Sequence, residues 1–123
     1  MPSRVEAAVQ TYIRAAAERD PNARRTLIAD CFADDGRIVT RSGVIRGHDA
    51  VDAMIARFHA DPHTVGFRLT SAIDAAGASF RFRSLVERRD GTAVEFFDAG
   101  EIDGSGRIST LLVFSGPLAD VPD

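Results

Sequence analysis

Asp98 is the residue that does not match its surroundings. Within the stretch from Asp90 to Phe114 it falls in step with Val94, Phe96, Gly100 and Ile102, the apolar phase of a strand. A strand sends every second side chain to one face, so Asp98 should point the same way as Phe96. A carboxylate on the core side of a sheet is costly unless it is hydrogen-bonded, paired or protonated. Such a misfit marks a pocket more firmly than it marks a reaction. Tyr12, the only tyrosine, lies on the apolar stripe of the first helix with Val5, Val9, Ile13 and Ala16. It reads either as a core aromatic whose hydroxyl finds a backbone partner or as a phenol donor at the wall of a cavity.

Other reactive residue types carry weaker signals. His59 and His63 stand four apart in HADPH, but Pro62 breaks the helix that metal ligation at that spacing needs, so no metal site is expected. Asp34-Asp35-Gly36 reads as a turn with side chains bonded to nearby backbone N–H groups, not as an acid–base pair. Arg81 and Arg83 share a strand face with Leu85 and Glu87. They could clamp an anion, but a solvated sheet face or dimer rim accounts for them more simply. Cys31, the only cysteine, sits beside Phe32 in an apolar context and reads as a buried structural thiol. All fifteen basic residues are arginine, which excludes a lysine Schiff base or a pyridoxal phosphate anchor within this sequence. No cofactor is expected.

The elements that must position these residues follow from periodicity and punctuation. Ser3 with Glu6 resembles a capping box, and a first helix runs from about Ser3 to Arg19. Asp20-Pro21 starts a second helix with Ala23, Leu27, Ile28, Cys31 and Phe32 inward; Asp34-Asp35-Gly36 stops it. Arg37 to Thr40 is a short strand, Ser42-Gly43 a turn, and Val44 to Arg46 returns. Gly47-His48-Asp49 opens a third helix bearing Val51, Met54, Ile55 and Phe58, and Asp61-Pro62 closes it. From Val65 the period changes to two. Phe67 to Ile73 alternates, Ala75-Ala76-Gly77 turns, and Phe80, Phe82, Ser84 and Val86 alternate with Arg81, Arg83, Leu85 and Glu87. Asp90-Gly91 and Gly104-Ser105-Gly106 are further turns. The last strand, Arg107 to Ser115, is nearly continuous apolar, as for a central strand covered on both sides. Gly100 in mid-strand signals a bulge or bend.

Three helices with a small inserted hairpin, then four antiparallel strands, make an α+β fold with helices on one face of a curved sheet. The 123 residues form one domain, with 117–123 a loose tail. A net charge of −3 gives no general attraction to nucleic acid or anionic membrane. No stretch is long and apolar enough for a membrane span, and MPSRVEAAV lacks an apolar signal core, so a cytoplasmic location is expected.

Four segments carry a resemblance: YIRAAAERD, CFADDGRI, VIRGHDAVDAMIARF and FFDAGEIDGSGRISTLLVF. With them the chain resembles the nuclear transport factor 2-like superfamily, in its SnoaL-like and ketosteroid isomerase-like branch. That resemblance implies a cone-shaped α+β barrel, a curved, mostly antiparallel mixed sheet wrapped around the three helices. It implies that Tyr12 matches the oxyanion-hole tyrosine of the isomerases and Asp98 the aspartic acid kept protonated in an apolar site. It also implies a cone lined by Thr40, Phe58, His63, Phe82, Phe96 and Phe114, and a homodimer paired through the outer sheet face. Two departures stand beside it. The isomerases' base would fall near Thr40 or Arg41, and neither is a carboxylate. The Arg-x-Asp of the superfamily's epoxide hydrolases is replaced by Arg81-Phe82-Arg83. His59, His63 and Glu95 are the substitute bases, although Glu95 lies on the opposite strand face from Asp98. Three readings remain open: an isomerase or polyketide cyclase polarising a carbonyl or enol oxygen with Tyr12 and Asp98; a non-catalytic domain that holds a small apolar, oxygen-bearing ligand or serves mainly as a dimeric scaffold; and a structural Asp98 bonded to backbone or to Arg81.

Overall fold

The computed structural model describes residues 2–123. Ser3 caps the first helix, α1 (Arg4–Ala17), its Oγ accepting from the Glu6 N–H at 3.1 Å. The helix buries Val5, Ala8, Val9, Tyr12, Ala15 and Ala16, and it ends before the expected Arg19. Asp20 caps α2 (Pro21–Cys31), accepting from the Ala23 N–H at 2.9 Å, with Pro21 in the first turn. Helix α3 spans His48–Ala60. Arg24 of α2 and Asp52 of α3 form a buried ion pair at 2.6 Å, which ties the two helices together.

The strands are β1 (Phe32–Thr40), β2 (Gly43–Arg46), β3 (Thr64–Leu69), β4 (Asp74–Ala76), β5 (Ser79–Arg88), β6 (Ala93–Ile102) and β7 (Ile108–Ser115). They form one seven-stranded curved sheet in the order β2-β1-β7-β6-β5-β3, with β4 also on β5. Strands β1 and β7 run parallel; the other pairs are antiparallel. The sheet does not close on itself, since β2 and β3 are its edges, and the helices cover its concave side.

Four expectations are corrected. Asp34-Asp35-Gly36 is not a turn that ends α2: the chain enters β1 at Phe32, and the three residues occupy a register shift between Phe32 and Arg37. The parallel partner strand β7, remote in sequence, pairs with Phe32 and with Arg37 to Val39 on either side of them. A Cβ at Gly36 would stand 2.8 Å from the Ile108 carbonyl oxygen, so glycine is what allows that approach. The run Phe67 to Ile73 is not one strand, and five strands rather than four follow α3. The chain bends after Leu69, where Ser71 Oγ accepts from the Arg83 N–H at 2.7 Å, and β4 then pairs further along β5. Ala75 and Ala76 belong to β4, and the turn falls at Gly77, φ 60°. The nearly apolar β7 is covered on one face only, for Phe114 is 52% exposed on the other.

The core lies between the α1 stripe and the concave sheet face. Phe32, Ile38, Val51, Phe80, Phe82, Ile108 and Leu111 fill it. Each such side chain is worth roughly 1.5–3 kcal/mol of burial. Along β5 the period of two holds residue by residue: Phe80, Phe82, Ser84 and Val86 are buried while Arg81, Arg83 and Glu87 are exposed.

Candidate functional site

A cavity of about 220 Å³ remains between α1, α3 and the concave face. Tyr12 and Ala16 reach it from α1, and Met54, Ile55 and Phe58 from α3. The sheet contributes Thr40, Phe67, Ser84, Val86, Phe96, Asp98 and Val113. The lining is apolar with a few polar groups, the usual composition of a small-molecule site.

Asp98 stands in the middle of β6, opposite Phe82 on β5 and Val113 on β7. It is 4% exposed, and its Oδ1 has no hydrogen-bond partner. Burial disfavours the charged form and pushes the carboxyl up to about 7. Below neutral pH it is therefore a carboxylic acid, with a proton to donate. Tyr12 is buried against Phe32, ring centroids 5.6 Å apart at 72°. Burial first, then negative charge on Asp98 and Cys31, push the phenol well above its ordinary value, so it keeps its proton. Gly100, two residues past Asp98, leaves room for the Thr110 backbone and the Phe80 ring, which any Cβ there would meet.

Of the residues expected at the site, Tyr12, Asp98, Thr40, Phe58 and Phe96 meet at this cavity. Three do not. His63 is exposed in the turn after α3, its N–H donating to Asp61 Oδ1 at 2.9 Å. Phe82 is packed in the core, stacked on Phe80 at 6.2 Å, and is not among the residues lining the cavity. Phe114 is out of phase with Val113 and points to the convex face.

The candidate bases fare no better. The Thr40 hydroxyl is engaged at the β1–β2 turn, accepting from the Ser42 N–H at 3.1 Å. His59 packs edge-on against Phe58 at 5.1 Å and is absent from the lining; burial lowers its pKa, and neither ring nitrogen has a partner. Glu95 lies on the convex face, as its phase implies. Arg81 pairs with Asp74 at 2.7 Å, so it does not hold Asp98. Cys31 is fully buried, and burial pushes its thiol up to about 12, as suits an inert structural residue. Among the described residues no three His, Cys, Asp or Glu side chains cluster to hold a metal, and no helix is long and apolar enough to cross a membrane.

Sequence reasoning missed Met54, Ile55, Phe67, Val86 and Val113, which lack any local mark that separates a cavity wall from a core. Ser84 is a different case. It is 1% exposed, its Oγ has no partner, and it stands in the apolar phase of β5 just as Asp98 does in β6. A larger groove of about 540 Å³, bordered by Arg41, Arg83, Phe97, Phe114 and Leu118, also reaches Ser84 and Phe96 and shares them with the cavity. Its charged groups are solvated, whereas the stranded Asp98 oxygen belongs to the smaller cavity, which is therefore the better candidate.

No protein-family model matches the chain, and no curated protein matches it in sequence. Solved structures do. A candidate isomerase of the SnoaL-like family from Agrobacterium tumefaciens is 27% identical with a TM-score of 0.81, over 93% of this chain and 98% of that one. A nuclear transport factor 2-like protein of unknown function from Burkholderia xenovorans is 19% identical with a TM-score of 0.71, over 97% and 88%. An epoxide hydrolase of the LEH-like type from M. tuberculosis is 18% identical with a TM-score of 0.63, over 92% and 83%.

Proposed function

The chain has the fold of the nuclear transport factor 2-like superfamily and fits its SnoaL-like branch, and on that premise we propose that its cone binds a small apolar molecule through a carbonyl or enol oxygen. One observation carries the reading: Asp98 is buried in an apolar cavity beside Tyr12, its Oδ1 has no partner, and its carboxyl is pushed up to about 7. A neutral carboxylic acid and a phenol are two hydrogen-bond donors. Directed at one oxygen, they stabilise the negative charge that develops when a neighbouring carbon loses a proton. The reaction class is proton transfer beside a carbonyl, of isomerase or cyclase type. Among the described residues, Asp98 and Tyr12 are the titratable groups of the lining, and Tyr12 keeps its proton. The proton leaving the carbon therefore passes to water, because an ionised Asp98 would no longer donate to the oxygen. A carboxyl near 7 is protonated in a large share of molecules at neutral pH, and that is the form that donates.

A second reading, binding without chemistry, is favoured by Thr40 at the position where the isomerases carry a base. Exchange of ketone α-protons in D2O, followed by NMR, separates the two. Catalysis requires exchange on cyclohexanone faster with the wild type than with Asp98→Asn. Equal rates, with binding intact, leave a binding domain. The homodimer stands as a proposal beside this. Phe97 and Phe114 face each other across β6 and β7, 41% and 52% exposed, and are the apolar surface a second copy would cover. Light scattering that gives a dimer for the wild type and a monomer for Phe114→Glu would support it; a wild-type monomer would end it.

A further inference from the structure

The cavity contains a second polar atom with no partner. Ser84 Oγ is buried, and Ser84 is 1% exposed. Its strand pairs on both sides, with β3 at Leu69 and with β6 at Phe96, so the neighbouring carbonyls are taken up by the two ladders. That leaves the hydroxyl nothing in its own sheet to bond. A hydroxyl between Phe82 and Val86, where an apolar side chain would fit the pattern, wants a partner from the cavity.

Its placement relative to Asp98 defines that partner. Ser84 faces Phe96, and Asp98 lies two residues along the same strand face. The two are diagonal neighbours on antiparallel strands, roughly 7–8 Å apart. Two hydrogen bonds of about 2.8 Å reach inward from such stations. Two oxygens on one ring can reach both stations, whereas a single oxygen reaches one only. A cavity of about 150 Å³ takes up benzene, so 220 Å³ accommodates one substituted ring. Phe58, Phe67 and Phe96 supply the apolar walls for that ring.

We propose that Ser84 is a second anchoring residue of the cone, and that the ligand is a single-ring compound with two oxygens, one held by Asp98 with Tyr12 and the other by Ser84. This rests on the reading of the cone as a binding site for an oxygen-bearing molecule, and it narrows that reading to a size and an oxygen pattern.

Calorimetric titration of phenol and resorcinol at pH 6 tests it on wild type, Ser84→Ala, Ser84→Thr and Asp98→Asn. Resorcinol should bind the wild type roughly fivefold more tightly than phenol, the worth of one neutral hydrogen bond. Ser84→Ala should erase the advantage, and Ser84→Thr, which keeps the hydroxyl, should retain it. Equal affinity for phenol and resorcinol in the wild type, or an advantage that survives Ser84→Ala, overturns the role of Ser84. If phenol still binds and weakens in Asp98→Asn, the broader reading of the site stands. If neither compound binds the wild type, both fall.

Discussion

Removing the titrating group of Asp98 without changing its shape should alter how stability depends on pH. Asp98→Asn does this, since Asn fills the same space and has no carboxyl proton to lose. The unfolded carboxyl titrates at 3.8 and the folded one near 7. Its folded value is raised, so the native state holds a proton that the unfolded state has already lost. Stability is unaffected below the unfolded value and falls as pH rises from 3.8 to about 7, after which the loss is complete. A rise of that size corresponds to about 4 kcal/mol in all. About 3 kcal/mol of that lies between pH 5 and pH 8.5, because part is already lost by pH 5. Urea unfolding of both proteins at those two pH values gives the number directly. The difference between wild type and Asp98→Asn should change by about 3 kcal/mol in favour of the variant, on the order of 10 °C in Tm. Titrations elsewhere are common to both proteins and cancel. Parallel stability curves from pH 5 to 8.5 would mean that Asp98 titrates as an ordinary exposed carboxylate, and the chemistry assigned to the cone would lose its basis.

Two further outcomes follow from groups outside the cavity. Asp52→Asn should destabilise the chain by about 3–5 kcal/mol in urea unfolding, because it strands the buried Arg24 guanidinium; a loss under about 1 kcal/mol would show that water reaches the pair. Although burial alone would raise the Asp52 carboxyl, the hydrogen bonds and charges of Arg24 and Arg25 hold it below its usual range, so this loss should shrink as the pH is taken below that range. His59 is pushed below 6.5 by burial, so the unfolded chain gains its proton first and stability drops as pH falls through 6.5. His59→Gln should flatten that acid limb, and an unchanged limb would assign it to other groups.

How much of this was legible in the sequence depends on the range over which each feature is specified. The caps at Ser3 and Asp20, the three helices and the alternation along β5 are local, and they stand where residue types placed them. Asp98 and Tyr12 were readable because a polar atom in an apolar phase is a local contradiction. Ser84 showed the same contradiction in a smaller, less costly side chain. What failed was what depends on distant partners. The start of β1 is set by β7, which is remote in sequence, and the split of β3 from β4 by where β5 offers free edge. Periodicity places Phe114 on a strand but does not reveal that one face of that strand is bare. His63 is adjacent to the helix that lines the cone, yet Asp61-Pro62 turns the chain away from it. The Arg24–Asp52 pair looks like two surface charges until α2 and α3 are laid side by side.

A crystal structure of the chain with resorcinol bound tests the central claim most directly. The account places the ring among Phe58, Phe67 and Phe96, with one oxygen within about 2.5–3.2 Å of an Asp98 carboxyl oxygen. Density for the ligand only in the convex groove beside Phe97 and Phe114, or in the cone with its oxygens turned away from Asp98, would contradict it.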